Sequence, residues 1–175
     1  MRTNRHRFWL VARRDSQLFS IARTAIGATY GNASPGDEDA KREVMQTLAA
    51  MIYGQDGHFF VVDYDGRNLV VPRQTQPINQ NWIGLRDIND VSITSEFIRQ
   101  ARWGGEYHSH LWFKPTTGEQ AEMGTDVIGL QNWQWALGTG IFIVDIRATV
   151  ATRVRVLSSV SSAPLSILAR LPRQH

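Results

Sequence analysis

Up to about residue 54 the apolar positions recur every three or four residues, and beyond 57 they alternate or run together. In "RRDSQLFSIARTAIGATYG", Leu18, Ala22, Ala25 and Thr29 fall on one helical stripe and Phe19, Ala22 and Ile26 on another, which predicts a helix over about 14–30. "GNASPGDEDAKREVMQTLAAMIYG" predicts a second helix. Ser34 can cap it, Pro35 suits its first position, and Asp37, Glu38 and Asp39 face the positive end of the helix dipole. Val44, Leu48, Met51 and Ile52 form the apolar stripe, and Gly54 ends it.

The period then falls to two. "DGHFFVVDYDGRNLVVPR" predicts strands over 58–63 and 68–71, a turn at Tyr64 to Arg67, and a stop at Pro72. After a loop through Asn81 and Trp82, "DVSITSEFIRQARWGGE" predicts a third helix with Ile93, Phe97 and Ala101 on one face, closed by Gly104 and Gly105. "EYHSHLWFKPTTGEQAEMGTDVIG" is a second hairpin turning at Pro115 to Gly118, and "WQWALGTGIFIVDI" is a final strand. Helices segregated from an antiparallel sheet make the fold class α+β. From Arg147 the pattern fails, so the domain is expected over 14–146, with flanking segments at 1–13 and 147–175.

Charge changes the picture only at those flanks. The 175 residues carry 19 Lys and Arg against 16 Asp and Glu, a net charge of +3. Residues 1–14 hold five arginines, residues 146–175 hold five more, and neither holds an acid. The body over 15–145 is left with 9 bases and 16 acids, or −7. An acidic body argues against a nucleic-acid partner. Basic ends fit solvated tails, or segments beside anionic lipid if the parent protein sits in a membrane. The apolar run Phe8 to Ala12 is far too short to cross a bilayer. With no cysteine, disulfides, thiolate zinc sites, iron-sulfur clusters and a Cys nucleophile are all excluded.

The last strand carries Gly138-Thr139-Gly140 in its middle. A dinucleotide fingerprint would need a third glycine where Ile143 stands and a helix after it, and no G-K-[ST] phosphate loop occurs. The glycines share one face and mark a close approach, read as the place where a helix crosses the sheet. No G-x-S-x-G elbow or H-E-x-x-H occurs, and the carboxylates are scattered over turns and helix starts. The chain is expected to have no enzymatic activity and no cofactor.

"YGQDGHFFVVDYDGRNLVVP", "WGGEYHSHLWFKP" and "NWQWALGTGIFIVDI", in this order and spacing, resemble the single Cache domain, the extracytoplasmic sensing module of bacterial chemoreceptors and sensor kinases. The resemblance spans about three quarters of the chain. It implies a long N-terminal helix, used for homodimerisation, on a five-stranded PAS-like antiparallel sheet. It also implies a periplasmic location and binding without chemistry. Small acids such as acetate, propionate, pyruvate or lactate are the family's ligands, held between one sheet face and the helices by a His before the strand-two proline, a Lys early in strand four, and nearby Tyr or Trp.

Mapped residue by residue, the His falls at Val71, the Lys at about Met123, and a Tyr after it at about Asp126. Trp112 is retained, and His110 stands where a Tyr is usual. These exchanges favour an amine-bearing or neutral ligand, or a domain that has lost its pocket and serves dimerisation, over a plain monocarboxylate.

The alternation of His108, His110 and Trp112 places them on one sheet face, as it does His58 and Phe60. Phe60, Val71, Arg73, His108, His110, Trp112, Met123 and Asp126 are the candidate ligand-binding residues. Arg73 and Arg86 lie in a loop able to overhang the pocket and offer a guanidinium to a carboxylate. The His108/His110 pair, with Asp126 or His58, is an alternative zinc or nickel site. Asp63, Asp65 and Gly66 form a turn, because Arg67 stands where a calcium ligand would be.

Overall fold

A computed structural model of the chain describes residues 3–72, 78–104 and 108–145, with side chains from residue 17 onward. The chain divides into two compact units: Met1–Ile143 holds the fold below, and Val144–His175 is a second, of which residues 144 and 145 alone are described. Of the predicted flanks, 147–175 lies outside the described residues, and 1–13 is described only as helical backbone from Thr3.

The first helix, α1, runs Thr3–Asn32, so it starts well before residue 14. It lays Phe19, Ala22 and Ile26 into the core, one of the two predicted stripes, while Ala25 of the other is exposed. The second, α2, runs Glu38–Ala50. Its cap is Asp37, not Ser34: the Asp37 carboxylate accepts the Ala40 amide at 2.9 Å, and Pro35 stands in the turn before it. The helix stops at Ala50, short of Gly54, because Ile52–Tyr53 leave it to form a short strand, β1.

The five predicted strands follow, β2 Gly57–Asp63, β3 Asn68–Val70, β4 His108–Phe113, β5 Gln120–Leu130 and β6 Trp135–Phe142, with α3 (Ile93–Trp103) between β3 and β4. All pairings are antiparallel, in the order β1-β2-β6-β5-β4, and β3 also pairs with β2. The last strand is shorter than predicted at both ends. Trp133 belongs to a 3-10 turn over Gln131–Trp133, and Gln134 follows at φ 55° before the chain extends again.

Alternation along the strands sorts the core into two layers. Phe59, Val61 and Leu137 point toward α1 and α2, where Phe19, Ala22, Ile26, Val44 and Leu48 cover them. Phe60, Val62 and Ala136 point the other way, against Ile93, Phe97 and Ala101 of α3. Each of these large side chains contributes roughly 1.5–3 kcal/mol by leaving water. Central β6 is covered on both faces, and all eight of its residues are buried. That is why it reads as an apolar run without alternation.

Gly138 and Gly140 face the α3 side, and the close approach there is made by side chains of neighbouring strands, not by a crossing helix. A Cβ at Gly138 would run into the Phe60 ring, and one at Gly140 into the Met123 methyl group. The helix lies one ring further out, with the Phe97 ring of α3 tilted by 36° against Phe60 at 4.7 Å between centroids.

Candidate functional site

The α3 side of the sheet encloses a cavity. Its floor is sheet: His58, Phe60 and Val62 from β2, Met123 and Thr125 from β5, and His110 and Trp112 from β4. Ile93 and Phe97 of α3 form one wall, and Val71, Trp82 and Leu85 come from the segments on either side of the undescribed residues 73–77. The free volume is about 30 Å³. A water molecule needs ~10–15 Å³ by this measure, so there is room for about two waters, the scale of a molecule with few heavy atoms.

The register explains how the polar atoms converge. His110 pairs with Met123 and Thr125 pairs with Gly140, so His110 and Thr125 are diagonal neighbours on one face, beside a residue without a side chain. His110 is 5% exposed and Thr125 fully buried. His110 Nδ1 and Thr125 Oγ1 have no hydrogen-bond partner among the described residues. The His58 ring is oriented from below, its Nδ1–H donating to the Asp56 carbonyl oxygen at 2.9 Å.

Burial, then the neighbouring His108, hold the His110 imidazole down at about 4, against the opposing pull of Asp87. His110 is therefore neutral at physiological pH. Burial also lowers His108, with Glu96 and Asp87 acting the other way. Asp87 secures the loop above the site to the sheet edge. Its Oδ2 accepts the Leu111 amide of β4 at 3.0 Å, and its Oδ1 accepts the amides of Asn89 and Val91. Partial burial pushes its carboxyl up, but these three amide hydrogen bonds outweigh it and leave Asp87 below the usual carboxylate range.

Phe60, Val71, His110, Trp112 and Met123 line the cavity as the sequence suggests, and Arg73 lies outside the described residues. His108 shares the face and stacks on His110 at 5.7 Å without lining the cavity. Asp126 is elsewhere. It pairs with Thr139, one residue out of phase with Met123 and Thr125, and faces a groove against α1 beside Phe19 and Arg23. Burial there raises its carboxyl above the usual range. Arg86 is engaged at the surface, where it donates to the Asp90 carbonyl oxygen at 2.8 Å.

Sequence reasoning passed over Val62, Trp82, Leu85, Ile93, Phe97 and Thr125 as site residues; the signal for Thr125 was its even spacing from Met123. The His108 and His110 rings lie within 21° of parallel, so their in-plane lone pairs do not converge on one point. Among the described residues no three His, Cys, Asp or Glu are grouped to hold a metal. Nor, among those residues, is any helix long and apolar enough to cross a membrane.

An antiparallel sheet clad by helices, with a small cavity on one face, has the architecture of a sensor domain. The chain belongs to the single Cache family, since the family model for Single Cache domain 2 matches residues 14–155. The sensor histidine kinase MctS of Rhizobium johnstonii is 40% identical over 77% of this chain and 29% of its own length. The methyl-accepting chemotaxis protein McpP of Pseudomonas putida is 24% identical over 70% of this chain and 23% of its own. This chain thus spans less than a third of the curated relatives it matches. The crystal structure of a methyl-accepting chemotaxis protein from Vibrio parahaemolyticus superposes with a TM-score of 0.73 and 31% identity, covering 81% of this chain and 97% of that one.

Proposed function

We propose that this domain senses a small organic metabolite, an acid, amine or amino acid, for a bacterial chemoreceptor or sensor kinase, from the outer side of the membrane. Residues 14–146 form the sensing unit, and binding involves no chemistry. One observation carries the reading: His110 and Thr125 line the same cavity, and each holds a buried polar atom, Nδ1 and Oγ1, with no partner among the described residues. An unpaired buried polar group costs about 1–3 kcal/mol, so an occupant that pairs both recovers a large part of its binding energy there.

Outer-side placement draws support from a periplasmic sensor domain of a chemotaxis protein, 26% identical with a TM-score of 0.66. Occupancy would favour one of two packings of the helices on the sheet. The test is a thermal-shift panel of short organic acids, amines, amino acids and divalent metals. A ligand at 100 times its Kd adds roughly 2.7 kcal/mol of stability, and His110→Phe should abolish the shift. A shift retained in His110→Phe places binding elsewhere.

The small cavity volume favours a second reading, a domain that dimerises through α1 and takes no ligand. Silence across the panel, with a dimer seen by light scattering, would establish it.

A further inference from the structure

Resting on the sensing reading, we propose that the Met123 side chain is a movable part of the cavity floor and sets the length of the occupant that the cavity accepts. The free space of about 30 Å³ holds about two waters, and an acetate-sized molecule has about twice as many non-hydrogen atoms. An occupant therefore has to displace side chains. Two places on this face of β6 have no side chain of their own, Gly138 and Gly140, and each is filled from a neighbouring strand. Phe60, which pairs with Gly138, covers the first, and its ring is backed by Phe97 of α3. Met123 covers the second: a Cβ at Gly140 would land on its methyl group and lie 3.1 Å from its sulfur.

The two covers differ in what it takes to move them. Shifting the Phe60 ring disturbs α3 through Phe97, whereas an unbranched thioether swings aside by a change of rotamer. What it leaves is a hollow over bare β6 backbone, between His58 of β2 and Thr125 of β5, which both pair with Gly140 and both line the cavity. Met123 itself pairs with His110. The hollow thus opens beside His110 and Thr125, whose buried polar atoms have no partner among the described residues. A polar end held by those two residues would run its apolar remainder into the space over Gly140. How far it can run is set by how much side chain stands at position 123.

Calorimetry on the purified chain with two homologous series, straight-chain carboxylates and straight-chain amines of increasing length, tests this. Met123→Ala should move the tightest-binding length up by about two carbons, with about a tenfold gain for that longer member over the wild type, the worth of two buried methylenes. Gly140→Ala puts a methyl where the thioether end lies and should weaken the longer members most; it carries the test alone if Met123→Ala does not fold. The double variant should return toward the wild-type length, since the two changes act on one space. Melting temperatures establish which variants fold. The same best length in every folded variant overturns the inference and leaves the sensing reading intact. Binding weakened equally at all lengths does the same, being the mark of a merely structural role. Silence of both series in every folded variant, with another compound of the thermal-shift panel bound, also overturns the inference alone. Silence of every compound overturns both.

Discussion

At Gly138 a methyl group would have to occupy the space of the Phe60 ring, and that ring is backed by Phe97. Gly138→Ala should therefore lower stability by about 1–3 kcal/mol in urea denaturation. Gly140→Ala should cost less, because the new methyl meets only the end of the flexible Met123 side chain. Equal costs at the two positions would show that the ring is not what holds Gly138. His110 gives a second expectation at this scale. Its folded pKa of about 4 lies below the ordinary 6.5, so the folded state resists protonation that the unfolded chain accepts. Stability from this residue is complete above about pH 6.5 and is lost progressively as pH falls toward 4, by about 3 kcal/mol at pH 4. His110→Phe should flatten that part of the stability profile; an unchanged slope between pH 7 and 4 would exclude His110 as its source.

Among the elements, two turns at the same end of the sheet are tied together. Asp56, in the β1–β2 turn, is fully buried; it accepts the Thr116 amide at 2.9 Å and the Thr116 hydroxyl at 2.8 Å, and pairs with Lys114 at 3.3 Å. Lys114 and Thr116 belong to the β4–β5 hairpin, and β4 stands three strands away from β2. On a flat sheet that separation is about 14 Å, so the two turns meet across the ends of β6 and β5. Asp56→Ala should destabilise the domain by about 3 kcal/mol in chemical denaturation, the low end for opening a buried ion pair. A loss under 1 kcal/mol would mean that packing alone holds the two turns together. Nothing in the sequence pointed to this contact. "GQDGHFF" read as a helix end running into a strand and "KPTTGE" as an ordinary turn, and local pattern holds no information on which of them meet. The strands themselves were legible, because alternation and turn residues are local signals. β1 escaped notice because two residues show no period.

For the molecule as a whole, the α+β class and the order of elements were readable from the shift in period near residue 57, and Phe60, His110, Trp112 and Met123 from family position and alternation together. Asp126 shows where that reasoning slipped. Met123 and Asp126 were placed in one site although three residues separate them, and a strand of period two sends such residues to opposite faces. The start of α1 was hidden for a different reason: "TNRHRFWLVAR" groups its apolar residues in one run and shows no stripe. The alternation that separates the layers also joins them. Phe60 forms the cavity floor, and Phe59, its neighbour in the chain, meets Phe19 of α1 at 6.4 Å between ring centres. A single peptide unit is all that stands between the wall of the hollow and the ring on which the long helix rests, so a shift of the β2 backbone there would be felt on both faces of the sheet.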